Sequence, residues 1–205
     1  MQVSVIENKT RSSEERQLAT VAMHEAGHVV VSHYYRRKVY GAKIGDHASA
    51  QGRSVVRFEL TPHVGSVHLR LNELDRLWPL AVRETLVTTR IRFAGPMSQA
   101  IYLKQSYRDV HGGQDYRDAL LELLRLEKLR LSLPRPDELD TCYKDDDVLD
   151  RVAEDLIELF VEREYINYVG RVARGLIAEQ ELTAAQISEL LQDMPLHDWG
   201  DDSGS

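Results

Sequence analysis

The segment from His24 to His28 reads HEAGH, an example of the pattern HExxH. In an α-helix, side chains four residues apart lie on one face about one turn apart, so both imidazoles can reach a single metal ion. The carboxylate of Glu25 lies beside them and can polarise a water molecule bound to that ion. The spacing therefore predicts a catalytic zinc site with His24 and His28 as ligands and Glu25 as the general base.

A catalytic zinc takes three protein ligands and leaves one position open for water. The extended metzincin pattern, HExxHxxGxxH, requires glycine at position 31 and histidine at position 34. The chain has Val31 and Tyr34 there, so that subclass is excluded. On residue type alone, Glu73, Glu84 and the loop histidine His111 stay open as the third ligand.

The motif is predicted to lie inside a helix. Ser12 followed by Glu15 forms a candidate capping box, and apolar residues recur behind it at helical spacing, so a helix is expected from about Ser13 to Tyr35. Gly27 inside this helix costs about 1 kcal/mol relative to alanine, which indicates a close approach by a neighbouring group. Glycines and β-branched residues between Val39 and Leu60 predict two short strands in a hairpin.

Further helical stretches are predicted after the hairpin. Proline suits the first turn of a helix, so Trp78-Pro79 indicates a helix start, and Gly95-Pro96 indicates a kink or a break. The expected elements are helices at Leu80–Ala94, Met97–Leu103, Gln114–Leu133, Val148–Glu179 (one long helix or a broken pair) and from the capping box of Thr183 and Gln186 to Gln192, with a linker at Pro134–Asp145.

The predicted fold class is mainly α, with the HExxH helix and a small β-hairpin. We expect one domain over residues 1–192, whose C-terminal helical part starts near residue 146. An acidic tail over residues 193–205 is expected to be flexible, since its last seven residues are small and acidic.

Composition excludes several functional classes. The chain has 26 Lys and Arg against 33 Asp and Glu, a net charge of -7, which argues against nucleic acid as the main partner. Cys142 is the only cysteine, which fits a reducing compartment and predicts a cytoplasmic location. No apolar run approaches the roughly 20 residues of a membrane-spanning helix, and no signal peptide is expected at the N-terminus.

A second stretch, His111-Gly112-Gly113-Gln114-Asp115-Tyr116-Arg117-Asp118-Ala119, extends the pattern. Together with HEAGH, it resembles the peptidase domain of the FtsH family of membrane-bound ATP-dependent zinc metalloproteases. In that family the third zinc ligand is an aspartate at the start of a later helix, within Gly-Ala-x-Asn-Asp-x-x-x-Ala. Asp115 and Ala119 match this stretch, whereas Gln114 replaces the asparagine. The resemblance therefore implies Asp115 as the third metal ligand.

Phe93-Ala94-Gly95 followed by Ile101-Tyr102 is similar to the Leu-Ala-Gly-Arg helix of the same family. Pro96 and Gln99 stand where that family usually has arginine and glutamate. The C-terminal helices are also similar, so that the resemblance covers about residues 15–192.

The resemblance implies a zinc-dependent endopeptidase with one zinc ion per chain. The chain has no Gly-x-x-x-x-Gly-Lys-Ser/Thr phosphate loop and thus no expected ATP site. It is therefore expected to cut unfolded or flexible protein segments, alone or with a separate ATPase partner, and the resemblance also implies a possible homo-oligomer. The alternative is a catalytically silent zinc-binding or regulatory module, which the departures at Pro96, Gln99 and Gln114 favour.

The remaining polar residues and the leucine stripe are not expected to take part in the site. Asp118 lies one turn after Asp115 and is expected to be a solvated helix residue rather than a partner of the site. The leucine stripe from Leu120 to Leu131 is predicted to be core or a helix interface. The remaining histidines are expected at the surface: His33, His47, His63, His68 and His197.

Overall fold

The computed structural model describes residues 13–45, 55–58, 71–110, 113–133, 135–144 and 147–198. Its regular elements are α1 (Ser13–Tyr34), β1 (Val39–Lys43), β2 (Val55–Phe58), α2 (Leu71–Leu103), α3 (Gln114–Leu131), α4 (Val148–Ile157), α5 (Ile166–Glu179), β3 (Glu181–Thr183) and α6 (Ala184–Leu190). The predicted fold class, mainly α with a small antiparallel hairpin, is confirmed. The predicted capping residue Ser12 lies outside the described part of the chain.

The HExxH helix α1 lies at the centre of the fold. It packs against α2 on one side and α5 on another, and β1 and β2 also contact it. Because neighbours cover it on several sides, the run from Val29 to Val31 is wholly buried rather than half exposed. The second half of α1, which carries the motif, is therefore held by tertiary packing in the main core.

The helix α2 differs from the prediction. It begins at Leu71, before the predicted start, and continues through both Pro79 and Gly95-Pro96 to Leu103. A proline inside a helix costs about 3 kcal/mol, because one backbone hydrogen bond is lost. Burial of Phe93 and Met97, on either side of the second proline, offsets that local cost. Of the predicted kink or break at Gly95-Pro96, the break is therefore wrong.

The sheet has three antiparallel strands in the order β2-β1-β3. The hairpin pairs Val39 with Phe58 and Lys43 with Val55, as expected for two short strands. The third strand, which pairs Leu182 with Ala42, is not predicted from the sequence. It has only three residues, too few for an alternating pattern to show.

The stretch predicted as Val148–Glu179 is a broken pair. A π-helical turn, Glu158–Glu162, follows α4, and Glu164 has a positive φ of 60° before α5 begins. The C-terminal end of α5 is closed by Gln180, whose φ of 61° is left-handed and turns the chain into β3. The two glycines of α5 do not end it, since both lie inside a helix that packs along α1.

The segment predicted as a linker over 134–145 is ordered where it is described. It forms two short 3-10 turns, Pro136–Glu138 and Cys142–Lys144. The ring of Tyr143 is buried against Trp78, whose Nε1 donates to the carbonyl of Asp140 at 3.0 Å. These contacts tie the connection to a second, smaller apolar cluster between α2, α3 and α4.

The C-terminal boundary lies later than predicted. Thr183 and Gln186 form the expected capping box, but the chain after α6 stays packed against α5. Met194 is buried, and the hydroxyl of Tyr165 donates to the carbonyl of Pro195 at 2.8 Å. The prediction of a flexible tail from residue 193 is thus wrong for residues 193–198, because they bury apolar surface; residues 199–205 lie outside the described part.

Two of the five histidines expected at the surface are half-buried instead. The ring of His197 packs against those of Tyr34 and Tyr35, and its Nδ1 lies 3.2 Å from the hydroxyl of Tyr34. Burial lowers the pKa of His33. The other three lie outside the described residues: His47, His63 and His68.

Within the described ranges, no helix combines the length and the apolar character needed to cross a membrane.

Candidate metal centre

The two histidines of the motif project from one face of α1, as their spacing predicts. Their rings are 5.0 Å apart between centroids, and their Nε2 atoms are 3.3 Å apart. The carboxylate of Asp115 reaches the same point from the first turn of α3. Its Oδ2 lies 3.0 Å from Nε2 of His24 and 3.6 Å from Nε2 of His28. These three side chains form a group that could hold a metal ion.

The position of Asp115 depends on how α3 packs. The helix begins at Gln114, directly after Gly113, so Asp115 lies in the first turn, where the helix dipole favours a carboxylate. One turn later, Ala119 is completely buried in contact with the rest of the fold. Because α3 packs along α2, its N-terminal end is aimed at the face of α1 that carries the histidines.

The other nitrogen of each imidazole is also engaged. Nδ1 of His28 donates to the carbonyl of Ile91 at 2.7 Å, and Nδ1 of His24 lies 2.9 Å from Oε1 of Gln99. Both acceptors favour the tautomer with a proton on Nδ1, which leaves the Nε2 lone pair free for a ligand. Gln99 is thus part of the site. The sequence pattern showed it only as a departure from the FtsH-type motif.

Two glycines allow α1 and α2 to come close at this point. A Cβ atom on Gly95 would lie within 3.0 Å of Nε2 of both His24 and His28. A Cβ atom on Gly27 would lie within 3.0 Å of the carbonyl oxygen of Ala94. The close approach predicted from Gly27 is confirmed. Gly95 keeps clear the space in front of the two Nε2 atoms.

The charges of the site are strongly coupled. Burial raises the pKa of Glu25, which is only 8% exposed, although the nearby His28 and His24 oppose the shift. Burial also opposes ionisation of Asp115, but hydrogen bonds and charge from the two imidazoles outweigh it and hold the pKa of this carboxyl well below its usual range. Burial favours neutral His28, yet Asp115 and Glu25 raise the pKa of its imidazole.

Of the alternative third ligands, only the side chain of Glu84 is described, and it does not join this group. Glu84 forms an ion pair with Arg37. The side chain of Glu73 and the whole of His111 lie outside what is described.

The carboxylate of Asp118 turns towards α2. It accepts from Nη1 of Arg92 at 3.0 Å and from Nε2 of Gln114 at 2.7 Å. Asp118 is therefore a paired, half-buried side chain, and the prediction of a solvated residue is wrong. The amphipathic pattern of α3 could not predict the pairing of Asp118, because its partner Arg92 lies on α2.

No protein-family model matches the chain, and no curated protein sequence matches it.

Proposed function

We propose that the chain is a zinc-dependent endopeptidase that cuts unfolded or flexible protein segments. The observation that carries the proposal is the convergence of His24, His28 and Asp115, with the buried Glu25 beside them on α1. The resemblance of HEAGH and of the stretch around Asp115 to FtsH-type peptidases supports the same reaction class.

The donor geometry fits zinc. Zinc binds nitrogen and carboxylate oxygen at about 2.0 to 2.2 Å in a tetrahedral arrangement, so neighbouring ligand atoms should be about 3.3 to 3.6 Å apart. The three donor atoms of His24, His28 and Asp115 are 3.0, 3.3 and 3.6 Å apart. Calcium and magnesium prefer six or more oxygen ligands, which two imidazoles do not supply.

In the proposed reaction, each residue of the site has a distinct role. His24, His28 and Asp115 would hold the ion. When bound, zinc would lower the pKa of a water molecule and polarise the substrate carbonyl. Glu25 accepts a proton from the attacking water and returns it to the amine nitrogen that leaves when the peptide C–N bond breaks.

The sheet supports a polypeptide substrate. In the order β2-β1-β3, β2 lies at one edge, and an extended peptide can add to a strand edge through backbone hydrogen bonds. Since the sequence carries no phosphate-binding loop, the proposal includes a separate ATPase for folded substrates. A cytoplasmic location remains the proposal that fits the single cysteine.

Substitution of the proposed base tests the function. Glu25→Gln should retain about one zinc ion per chain, measured by plasma mass spectrometry. It should lose about 100-fold or more of the cleavage rate on casein, because a general base contributes 10²- to 10⁴-fold. Glu14→Gln is the matched control, since it makes the same change on an exposed position of the same helix.

Each outcome separates the candidate functions. Cleavage by Glu25→Gln at the parent rate would show that the base is assigned wrongly. Stoichiometric zinc in the parent without cleavage of any unfolded substrate would replace the enzyme with the catalytically silent module. If the parent chain binds no zinc at micromolar zinc concentration, both the endopeptidase and the silent zinc-binding module are excluded.

A further inference from the structure

The outer face of α3 is apolar and cationic, in a chain whose net charge is -7. Four of its leucine side chains are 37% to 61% exposed: Leu120, Leu121, Leu124 and Leu131. The sequence predicts this leucine stripe to be core or a helix interface. The four acids of the helix are buried or half-buried, whereas three of its cations are exposed. We name this surface the leucine face; its members are Arg117, Leu120, Leu121, Leu124, Arg125, Lys128 and Leu131.

A second exposed helical face has the opposite charge. It runs along the end of α4 and the π-helical turn, where Ile157 is 36% and Val161 51% exposed. Exposed glutamates surround them. We name this surface the acidic face; its members are Glu154, Ile157, Glu158, Val161 and Glu162.

Both faces carry charges that the fold itself does not neutralise. Arg117 hydrogen-bonds only to the amide oxygen of Gln114, and Lys128 has no carboxylate partner among the described residues. Within the same ranges, Glu154 and Glu162 have no cationic partner. Arg125 and Glu158 are paired within the fold, with Glu122 and Arg163 respectively. Each face therefore presents exposed aliphatic side chains beside two charges that have no ionic partner among the described residues.

The leucine face also borders an unfilled groove. The groove is lined by Tyr116, Leu120, Leu124, Tyr143 and Leu149 and also by the charged residues Arg108, Glu127, Lys144 and Asp150, and its volume is about 700 Å³. The apolar part of such a groove accepts protruding aliphatic side chains, as in helix-in-groove recognition. Ile157 and Val161 are side chains of that kind.

We propose that the leucine face of one copy of this chain packs against the acidic face of a second copy. The two faces both carry exposed aliphatic side chains and have opposite charges, and both belong to the same sequence. Exposed apolar patches rimmed by charge are typical of protein interaction sites. The contact joins two different surfaces, so it either forms twice in a two-fold dimer or repeats around a ring.

A charge swap tests this contact without reference to zinc or proteolysis. The double variants Arg117→Glu/Lys128→Glu and Glu154→Lys/Glu162→Lys should each be monomeric by sedimentation velocity, whereas the parent chain should have the mass of two or more chains. Combining all four substitutions in one chain should restore association, because both signs are then reversed. Mixing the two double variants should also restore it.

Further variants address the apolar part and the fold. Leu124→Ser and Val161→Ser should each weaken association, whereas Ile177→Ser, at an exposed aliphatic position on α5 outside both faces, should not. Circular dichroism and thermal melting of every variant check that the fold is kept. Association of the parent should weaken at least about tenfold between 0.05 and 0.5 M NaCl, since exposed charges are screened.

The proposal is overturned by a parent chain that stays monomeric at about 100 µM, well above the micromolar range of ordinary specific interfaces. It is equally overturned if neither double variant changes the mass, or if the fourfold variant fails to regain it while remaining folded. Binding of a monomeric parent to phosphatidylserine vesicles through Lys128 would assign the leucine face to a membrane surface instead.

Discussion

Helix α3 carries a polar cluster at each end, and the two clusters differ in how their carboxylates are neutralised. Near the C-terminal end, Glu127 accepts from Nε and Nη2 of Arg130 at 2.9 and 3.1 Å and from the hydroxyl of Tyr143 at 2.7 Å, and Nζ of Lys144 lies 2.8 Å away. At the N-terminal end, the ionic partners of Asp115 in the described part of the chain are two imidazoles, whose charge depends on pH.

The difference separates a structural cluster from the candidate metal site. Permanent cations satisfy Glu127, so that the cluster is complete in the folded chain. Around Asp115, three donor atoms converge without a permanent cation, and Glu25 is buried close by. When both imidazoles are neutral, three lone pairs converge in a poorly solvated place, and a bound zinc ion, as proposed, would neutralise them. When an imidazole is protonated, it pairs with Asp115 instead.

The largest effect is expected when the third proposed ligand is removed. Asp115→Ala should weaken zinc binding about 100-fold or more, since loss of an outer contact alone costs 10- to 100-fold. Competition with a chromogenic chelator measures this. Asp118→Ala, one turn along the same helix, is the control and should keep the parent affinity, because Asp118 pairs with Arg92. Equal losses in both variants would contradict the assignment of Asp115.

A smaller but still large effect is expected from filling the gap in front of the histidines. Gly95→Ala should reduce zinc affinity by roughly tenfold to 100-fold, because its Cβ would displace the imidazoles from their positions. Gly170→Ala is the matched control. Its Cβ would meet only Nη1 of Arg174, at 3.5 Å, and removal of a helical glycine should raise the free energy of unfolding by about 0.5 to 1 kcal/mol. Unchanged zinc affinity in Gly95→Ala would show that the gap has no role.

The hydrogen bond from His24 to Gln99 should have an intermediate effect. Gln99→Leu is expected to weaken zinc binding about tenfold, because the imidazole loses the acceptor that orients it. Gln99→Glu keeps an acceptor at the same place and should retain the parent affinity or exceed it. If the leucine variant binds zinc as the parent does, Gln99 does not position His24.

The smallest effect on zinc is expected at the opposite end of α3. Glu127→Gln should leave zinc affinity unchanged and lower the free energy of unfolding by about 1 to 2 kcal/mol, since hydrogen bonds to a charged group are lost. Urea denaturation of the parent and the variant, both without metal, measures the difference. A loss of zinc affinity here would show that the two clusters are coupled through the helix.

The same variant should show a defined pH dependence. The hydrogen bond from Arg130 is the main cause that lowers the pKa of Glu127 from 4.5 to about 2 in the folded chain. Its contribution is therefore complete above about pH 5 and is lost as the pH falls towards 2. The unfolding free energies of the parent and Glu127→Gln should converge over this interval. A constant difference down to pH 2 would contradict the role of the ionised carboxylate.

Much of the fold follows from local patterns. Helical periodicity places α1 and α3 within a few residues of their observed ends, and the capping box of Thr183 and Gln186 marks the start of α6. The break predicted at Gly95-Pro96 fails, because the cost of a buried proline is local whereas the packing that offsets it comes from α1. The strand β3 is missed because its pairing with β1 joins segments about 140 residues apart.

The sequence by itself determined that His24, Glu25 and His28 share one region of a helix, because helical geometry follows from spacing alone. It also determined the charge balance and the amphipathic rows of α3 and α4. The resemblance named Asp115, but only the tertiary structure brings its carboxylate to the histidines. Only the tertiary structure decided that Gln99 holds one of them and that the leucine face stays exposed. Each of these depends on how separate helices pack, and packing is set by the whole core rather than by any one segment.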